Sequence, residues 1–224
     1  KRFQLVREMG WDQVPALVVS EQQSDLDLYT SNLQERLAAE KSLSPLEIAE
    51  VLSKLRVIFS LSEERVVRDF MPVLGLGRNR TWLDRYLPLT GLDERSKSEL
   101  LTDGLSLEVV FALAGMAVEE RHHLLDLFKI LRLGKNKQSE MYSLIRDVCR
   151  MQGQTLGALL QQPEWTEILS GSELTFTQKA ERCKEALMRL RYPRFSSAQQ
   201  AFQDLLKEAG APPALRIVPS PFFN

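Results

Sequence analysis

The stretch GLGRNRTWLDRYLPLT, residues 75 to 90, places three arginines, a tryptophan and a tyrosine between two glycines and a late proline. At helical spacing Trp82, Leu83 and Tyr86 share one face, which leaves Arg78, Arg80, Thr81 and Arg85 outside it or at its rim. These residue types suit a nucleic acid. A guanidinium grips guanine or a phosphate through paired N–H groups, and threonine contacts a phosphate or a thymine methyl. Asp84 is discordant, because a carboxylate near phosphates is unfavourable unless it pairs with arginine or accepts from a cytosine amino group. The same pattern also fits a core helix with arginines on its wet face.

Reading such a helix requires elements that hold it out, and the preceding residues supply them. Ser62 is a natural cap, Glu63 and Glu64 suit a first turn, and Val66, Val67, Phe70 and Met71 form an inner face that Pro72 limits. Gly75, Leu76 and Gly77 then make a turn, and Asn79 caps the arginine-bearing helix. Two short helices about a glycine turn predict a helix-turn-helix unit whose second helix reads the major groove.

Helical signals surround that unit. RFQLVREMG predicts a helix stopped by Gly10, and VPALVV a short buried strand. Ser44, Pro45 and Glu47 make a capping box for a helix ending near Phe59. Ser106 caps a run through Leu113, Glu119 to Leu133 forms a longer helix stopped by Gly134, and a further pattern follows Asn136. MQGQTLGALLQQPEWTEILSGSE, with its glycines and proline, reads as a linker with short helices. Beyond it come helices at 176 to 191 and 197 to 209, the second opened by a Ser197/Gln200 box, and an extended segment from Leu215 to Val218.

Composition narrows the function classes. With 44% hydrophobic residues among 224 the chain can bury a core, and 29 basic against 30 acidic side chains confine any nucleic-acid surface to one patch. Cys149 and Cys183 sit in amphipathic patterns, as reduced core thiols of a cytoplasmic protein do. No apolar run approaches the length of a membrane span. His122 and His123, adjacent on a helix, cannot ligate one metal together, and no zinc-protease spacing, nucleophile elbow or P-loop occurs. A basic cluster of Lys179, Arg182, Lys184, Arg189, Arg191 and Arg194 suggests either nonspecific phosphate contact or a wet helix face. The sequence opens inside an amphipathic pattern without an initiator methionine, so a longer protein is expected.

The order of segments from residue 1 to about 150 resembles the ParB/RepB partition-protein family. KRFQLVREMGWDQVPALVV is similar to its Gly-x-Arg-Arg helix and Val-Pro-x-x-Val strand, SNLQERL to its Glu-Asn-x-Gln-Arg motif, and LSPLEIA to its next helix start. LGRNRTWLDRYLPL follows its recognition helix without a gap, and LTDGLSLEVVFAL its next element.

The resemblance implies duplex DNA as partner, a homodimer joined beyond the central domain, a place at the nucleoid, and a role in plasmid or chromosome partition or related regulation. It also implies a nucleotide site to which Arg2 and Asn32 contribute, with CTP and Mg²⁺ as cofactors of the full-length protein. Ser31 in place of the family's Glu and Glu35 in place of its Arg predict lost hydrolysis, since serine is a poor Mg²⁺ ligand. Glu108 to Phe111 replace a family segment ending in arginine, and RLAA lengthens the link before the next helix.

The expectation is thus a mainly α protein: the end of a small α/β domain to residue 40, a multi-helical domain with the helix-turn-helix from 41 to 150, and a helical region with a short strand from 151 to 224 that serves dimerisation. Arg78, Asn79, Arg80, Thr81 and Arg85 are its DNA-binding residues. The rival expectations are a CTP-hydrolysing clamp or nuclease-like enzyme in the full-length protein, and an interaction module without DNA binding.

Overall fold

Periodic leucines along the chain dictate helices, and the computed structural model describes residues 2–14, 23–39, 42–102 and 104–209, among which no strand occurs. In order they are α1 (Arg2–Glu8), α2 (Asp25–Ala39), α3 (Pro45–Val57), α4 (Glu63–Arg65, continued by a π turn over Val66–Phe70) and α5 (Arg80–Tyr86, tightening to a 3₁₀ turn over Leu87–Gly91). Next are α6 (Glu94–Leu100), α7 (Leu107–Ala114), α8 (Val118–Leu131), α9 (Lys135–Gln152), α10 (Leu156–Leu160), α11 (Pro163–Ser170), α12 (Phe176–Arg191) and α13 (Pro193–Glu208). The strands expected at VPALVV and at Leu215 to Val218 fall on, or almost wholly on, residues outside those described.

Capping fixes most starts. Ser44 and Glu47 form the expected box, and Ser62, Asn79 and Ser106 cap where the sequence places them. Asp93, Thr155 and Thr175 cap as well. Two expected boundaries move. Arg132, not Gly134, takes the left-handed conformation that ends α8, its guanidinium 4.0 Å from the Phe176 ring centre, and Gly134 becomes the cap of α9, which already includes Asn136. α13 starts at Pro193, whose fixed φ suits a first turn, so Ser197 lies inside the helix and donates to the Pro193 carbonyl while Gln200 bonds Asp204.

α3 lies at the centre of the first half, with Ala49, Leu52 and Leu55 fully buried against α5, its 3₁₀ extension and α6. α2 is seated on α3 through Leu33, the Tyr29–Phe59 ring pair at 5.1 Å and an Arg36–Glu47 ion pair. The residues expected to lengthen a link, Arg36 to Ala39, are the last turn of that helix. In the second half α12 lies against α9, α8 and α11, and α7 joins the halves by touching both α9 and the 3₁₀ turn after α5. One continuous apolar cluster runs from Leu33 to Leu187, so a single core crosses the boundaries expected at 40 and 150. The segment expected as a linker contributes Leu156, Leu159 and Trp165 to it.

α8 is pinned from two sides. Asp93 caps α6 through Ser96 and also meets His122 Nε2 and Arg121 Nη1, each at 3.0 Å, and these bonds, His122 foremost, hold its carboxyl well below the usual carboxylate range. Glu120 accepts from the Leu156 and Gly157 amides at 2.8 and 3.2 Å, closing the open end of α10 from another helix. His123 lies so close above Gly157 that an added Cβ would come within 2.7 Å of its Cε1. Gly157→Ala is therefore expected to lower stability by about 1–3 kcal/mol through overpacking. His123→Ala in the same chain should recover most of the loss in urea titrations, and an unchanged midpoint for the single variant would show that the ring gives way freely.

The thiols behave as core groups. Cys149 and Cys183 are unbridged, and burial pushes them up to about 11 and about 12 respectively. No helix among the described residues is long and apolar enough to cross a membrane.

Candidate nucleic-acid interface

The arginine-bearing helix is built from its buried side outward. Leu83 and Tyr86 are 1% and 3% exposed, and Trp82 is half-buried beside them. Phe111 of α7 completes the support, edge-on to Tyr86 with ring centres 5.0 Å apart and 6.2 Å from Trp82. In the sequence Phe111 stands only as the last residue of the Glu108–Phe111 segment. Its role depends on packing between α5 and α7, which no local pattern encodes.

The turn leading into α5 follows from two residues. Pro72 has no N–H to continue the preceding helix, which widens so that Met71 donates to Val66 five residues back. Gly75 then takes φ +73°, a left-handed turn that a side chain would strain. Asn79 Oδ1 accepts from the Thr81 amide at 2.9 Å and starts the helix. As expected, Val66, Phe70 and Met71 are buried, with Val67 half-buried.

Arg78, Asn79, Arg80, Thr81 and Arg85 are all exposed, but the arginines do not form one row. At about 100° per residue Arg80 and Arg85 lie roughly 140° apart around the helix, with Thr81 and Asp84 between them. Arg80 leans toward the preceding helix, Nη2 lying 3.0 Å from Glu63 Oε2 and Nε 4.0 Å from Asp84. Arg85 leans the other way, its guanidinium 4.6 Å from the Phe111 ring centre and 5.8 Å from that of Trp82. The guanidinium groups of Arg80 and Arg85 thus flank the exposed face, and its middle is Thr81 and Asp84.

The charge is mixed. From Glu63 to Arg85 there are five arginines and four acids, a surplus of one. Arg68 holds Asp69 through Nε at 2.7 Å and Nη2 at 3.0 Å, which lowers the carboxyl, and Arg78 acts on the same group from further off. Glu63 is shared with Arg56 at 3.2 Å. Arg80 is 68% exposed despite its partners. Exposed pairs of this kind are weak, so a phosphate can displace Glu63 at little cost.

The other candidate residues are placed differently. The basic cluster of α12 is largely engaged in holding the fold: Lys179 donates to the Leu169 carbonyl, Lys184 pairs with Glu140 at 2.7 Å, Arg189 with Glu164, and Arg191 with Asp147 at 2.5 Å. Asn32 is exposed on α2 and its amide donates to Leu28 of the same helix at 3.0 Å, with Ser31 and Glu35 exposed nearby. The side chain of Arg2 lies outside the described residues. No group of three or more His, Cys, Asp or Glu side chains able to hold a metal occurs among the described residues. No family model, curated protein or solved structure matches the chain.

Proposed function

We propose that this chain binds duplex DNA through α5, as a ParB-like protein acting at the nucleoid in partition or related regulation. The observation that carries the reading is the exposed outer face of α5. Its inner face is locked by Leu83, Tyr86 and Phe111, its start is capped by Asn79, and its outer residues Arg78, Arg80, Thr81 and Arg85 are all exposed. The ordered resemblance of residues 1 to about 150 to the ParB/RepB family supports the same reading.

In this mode the N-terminal end of α5 enters the major groove, where Arg78, Arg80 and Thr81 meet base edges. Asp84 accepts from a cytosine amino group or remains with Arg80. Arg85, braced on Phe111, holds the backbone on the far wall. Two copies would place two α5 helices on successive half-sites. The amphipathic α13 has no buried residue, leaves Phe195 and Leu205 exposed, and suits pairing of this kind.

Fluorescence anisotropy on a panel of labelled duplexes tests the proposal. Arg80→Ala should weaken binding to a selected sequence by roughly 1–3 kcal/mol and relax its preference without changing the fold. Equal binding by the wild type and the double variant Arg80→Ala/Arg85→Ala would remove it, as would binding that is nearly independent of salt.

A protein-docking role is the second reading. Asp84 at the middle of the exposed face and the near balance of charge around it favour a partner surface of mixed charge. Absence of duplex binding even at low salt would select this reading over the first.

A further inference from the structure

Beside α5 an open cleft of about 500 Å³ is lined by Arg85, by residues of α7 including Phe111, and by Tyr142 and Arg146 of α9. Arg85 belongs to both the cleft and the exposed face of α5, so the two surfaces are continuous. Arg146 is 56% exposed and stands 5.8 Å from the Tyr142 ring centre, much as Arg85 stands against Phe111. Its nearest acid is Asp147 at 3.6 Å, but Arg191 already holds that carboxylate at 2.5 Å, leaving one negative charge between two guanidinium groups. The acid within the cleft is the exposed Glu108, in the first turn of α7.

We propose that Arg146 and Arg85 together grip the phosphodiester backbone of the same duplex, extending the contact surface from α5 across the cleft to α9. This rests on the DNA-binding reading and adds to it a residue far away in sequence. An open cleft lined by guanidinium groups from two helices suits an extended polyanion better than an enclosed small molecule. Planar guanidinium groups bond two phosphate oxygens at once, and the rings beneath them limit their freedom beforehand. The contact positions the duplex and carries no sequence information.

The test compares the wild type with Arg146→Ala, Arg146→Lys and Glu108→Gln on one selected and one random-sequence labelled duplex over a range of salt. Each lost phosphate contact lowers the slope of log K against log salt by about 0.9, which at 0.1 M salt is about an eightfold loss of affinity. Arg146→Ala should show that loss on both duplexes, Arg146→Lys should keep the wild-type slope, and Glu108→Gln should tighten binding. A wild-type slope for Arg146→Ala, or a loss confined to the selected sequence, overturns the inference while leaving the role of α5 intact. If the wild type binds neither duplex at low salt, the parent reading fails and this one with it. A polyglutamate peptide that binds the wild type, and loses that binding in Arg146→Ala without any change on duplex, would assign the cleft to an acidic protein instead.

Discussion

Trp165→Ala should lower the stability of the chain by about 3–5 kcal/mol, the cost typical of truncating a buried tryptophan. Trp165 is 0% exposed, lies in α11, and belongs to the apolar cluster that runs from Leu33 to Leu187. Because that cluster is continuous, the loss should move the unfolding of the whole core, a shift of roughly 10 °C in Tm for a chain of this size. Thermal unfolding followed by circular dichroism should retain one transition. Two transitions, only one of them shifted, would mean that the helices after residue 150 fold as a separate unit. Trp165→Phe sharpens the test. The indole Nε1 is buried without a hydrogen-bond partner among the described residues, and an unpaired buried donor costs about 1–3 kcal/mol. Phenylalanine removes that donor while keeping an aromatic body, so its net loss should be far smaller than alanine's.

The contrast between segments shows which physics the sequence carries. α3, α7 and α12 are written locally, since each combines a side-chain cap with apolar residues at helical spacing. The segment around Trp165 is not. Its glycines and proline punctuate short helices, which locally resemble a linker, and only the packing of α10 and α11 on their neighbours makes them core. The same distinction holds at the interface. Periodicity alone identified the buried face of α5 and the exposure of its arginines. The roughly 140° between Arg80 and Arg85 also follows from helical periodicity, whereas the directions in which their guanidinium groups lean depend on distant partners, Glu63 and Phe111. The basic run on α12 leaves phosphate contact and a wet helix face both open in the sequence for a similar reason: Glu140, Asp147 and Glu164, which pair with it, lie on other helices.

Gln138→Leu should cost about 2–4 kcal/mol, although leucine has nearly the volume of the residue it replaces and is the more apolar of the two. The Gln138 side chain is buried at 3% exposure and serves three backbone groups. Its Oε1 accepts from the Ser106 amide at 2.8 Å, and its Nε2 donates to the carbonyls of Gly104 at 2.8 Å and Leu133 at 2.9 Å. Leucine leaves all three without their partner. Gly104 is exposed, so water can take over its carbonyl, but Ser106 and Leu133 are buried and pay the desolvation cost in full. Glutamate distinguishes lost bonds from lost shape. A carboxylate in this site would face two carbonyl oxygens that need a donor, so its folded pKa must lie above the unfolded value. The stability of Gln138→Glu should therefore be greatest below the unfolded pKa, where the protonated acid can still donate one bond, and should fall as pH rises through the folded pKa. The wild type has no such group at this position. Urea titrations across the acid range should show the difference between the two proteins widening toward neutral pH, and a constant difference would mean that the site admits water. Gln138 fixes Ser106, the cap of α7, and α7 carries the Phe111 ring that braces Arg85. The clamp that holds the core together therefore also sets the position of the candidate DNA-binding face.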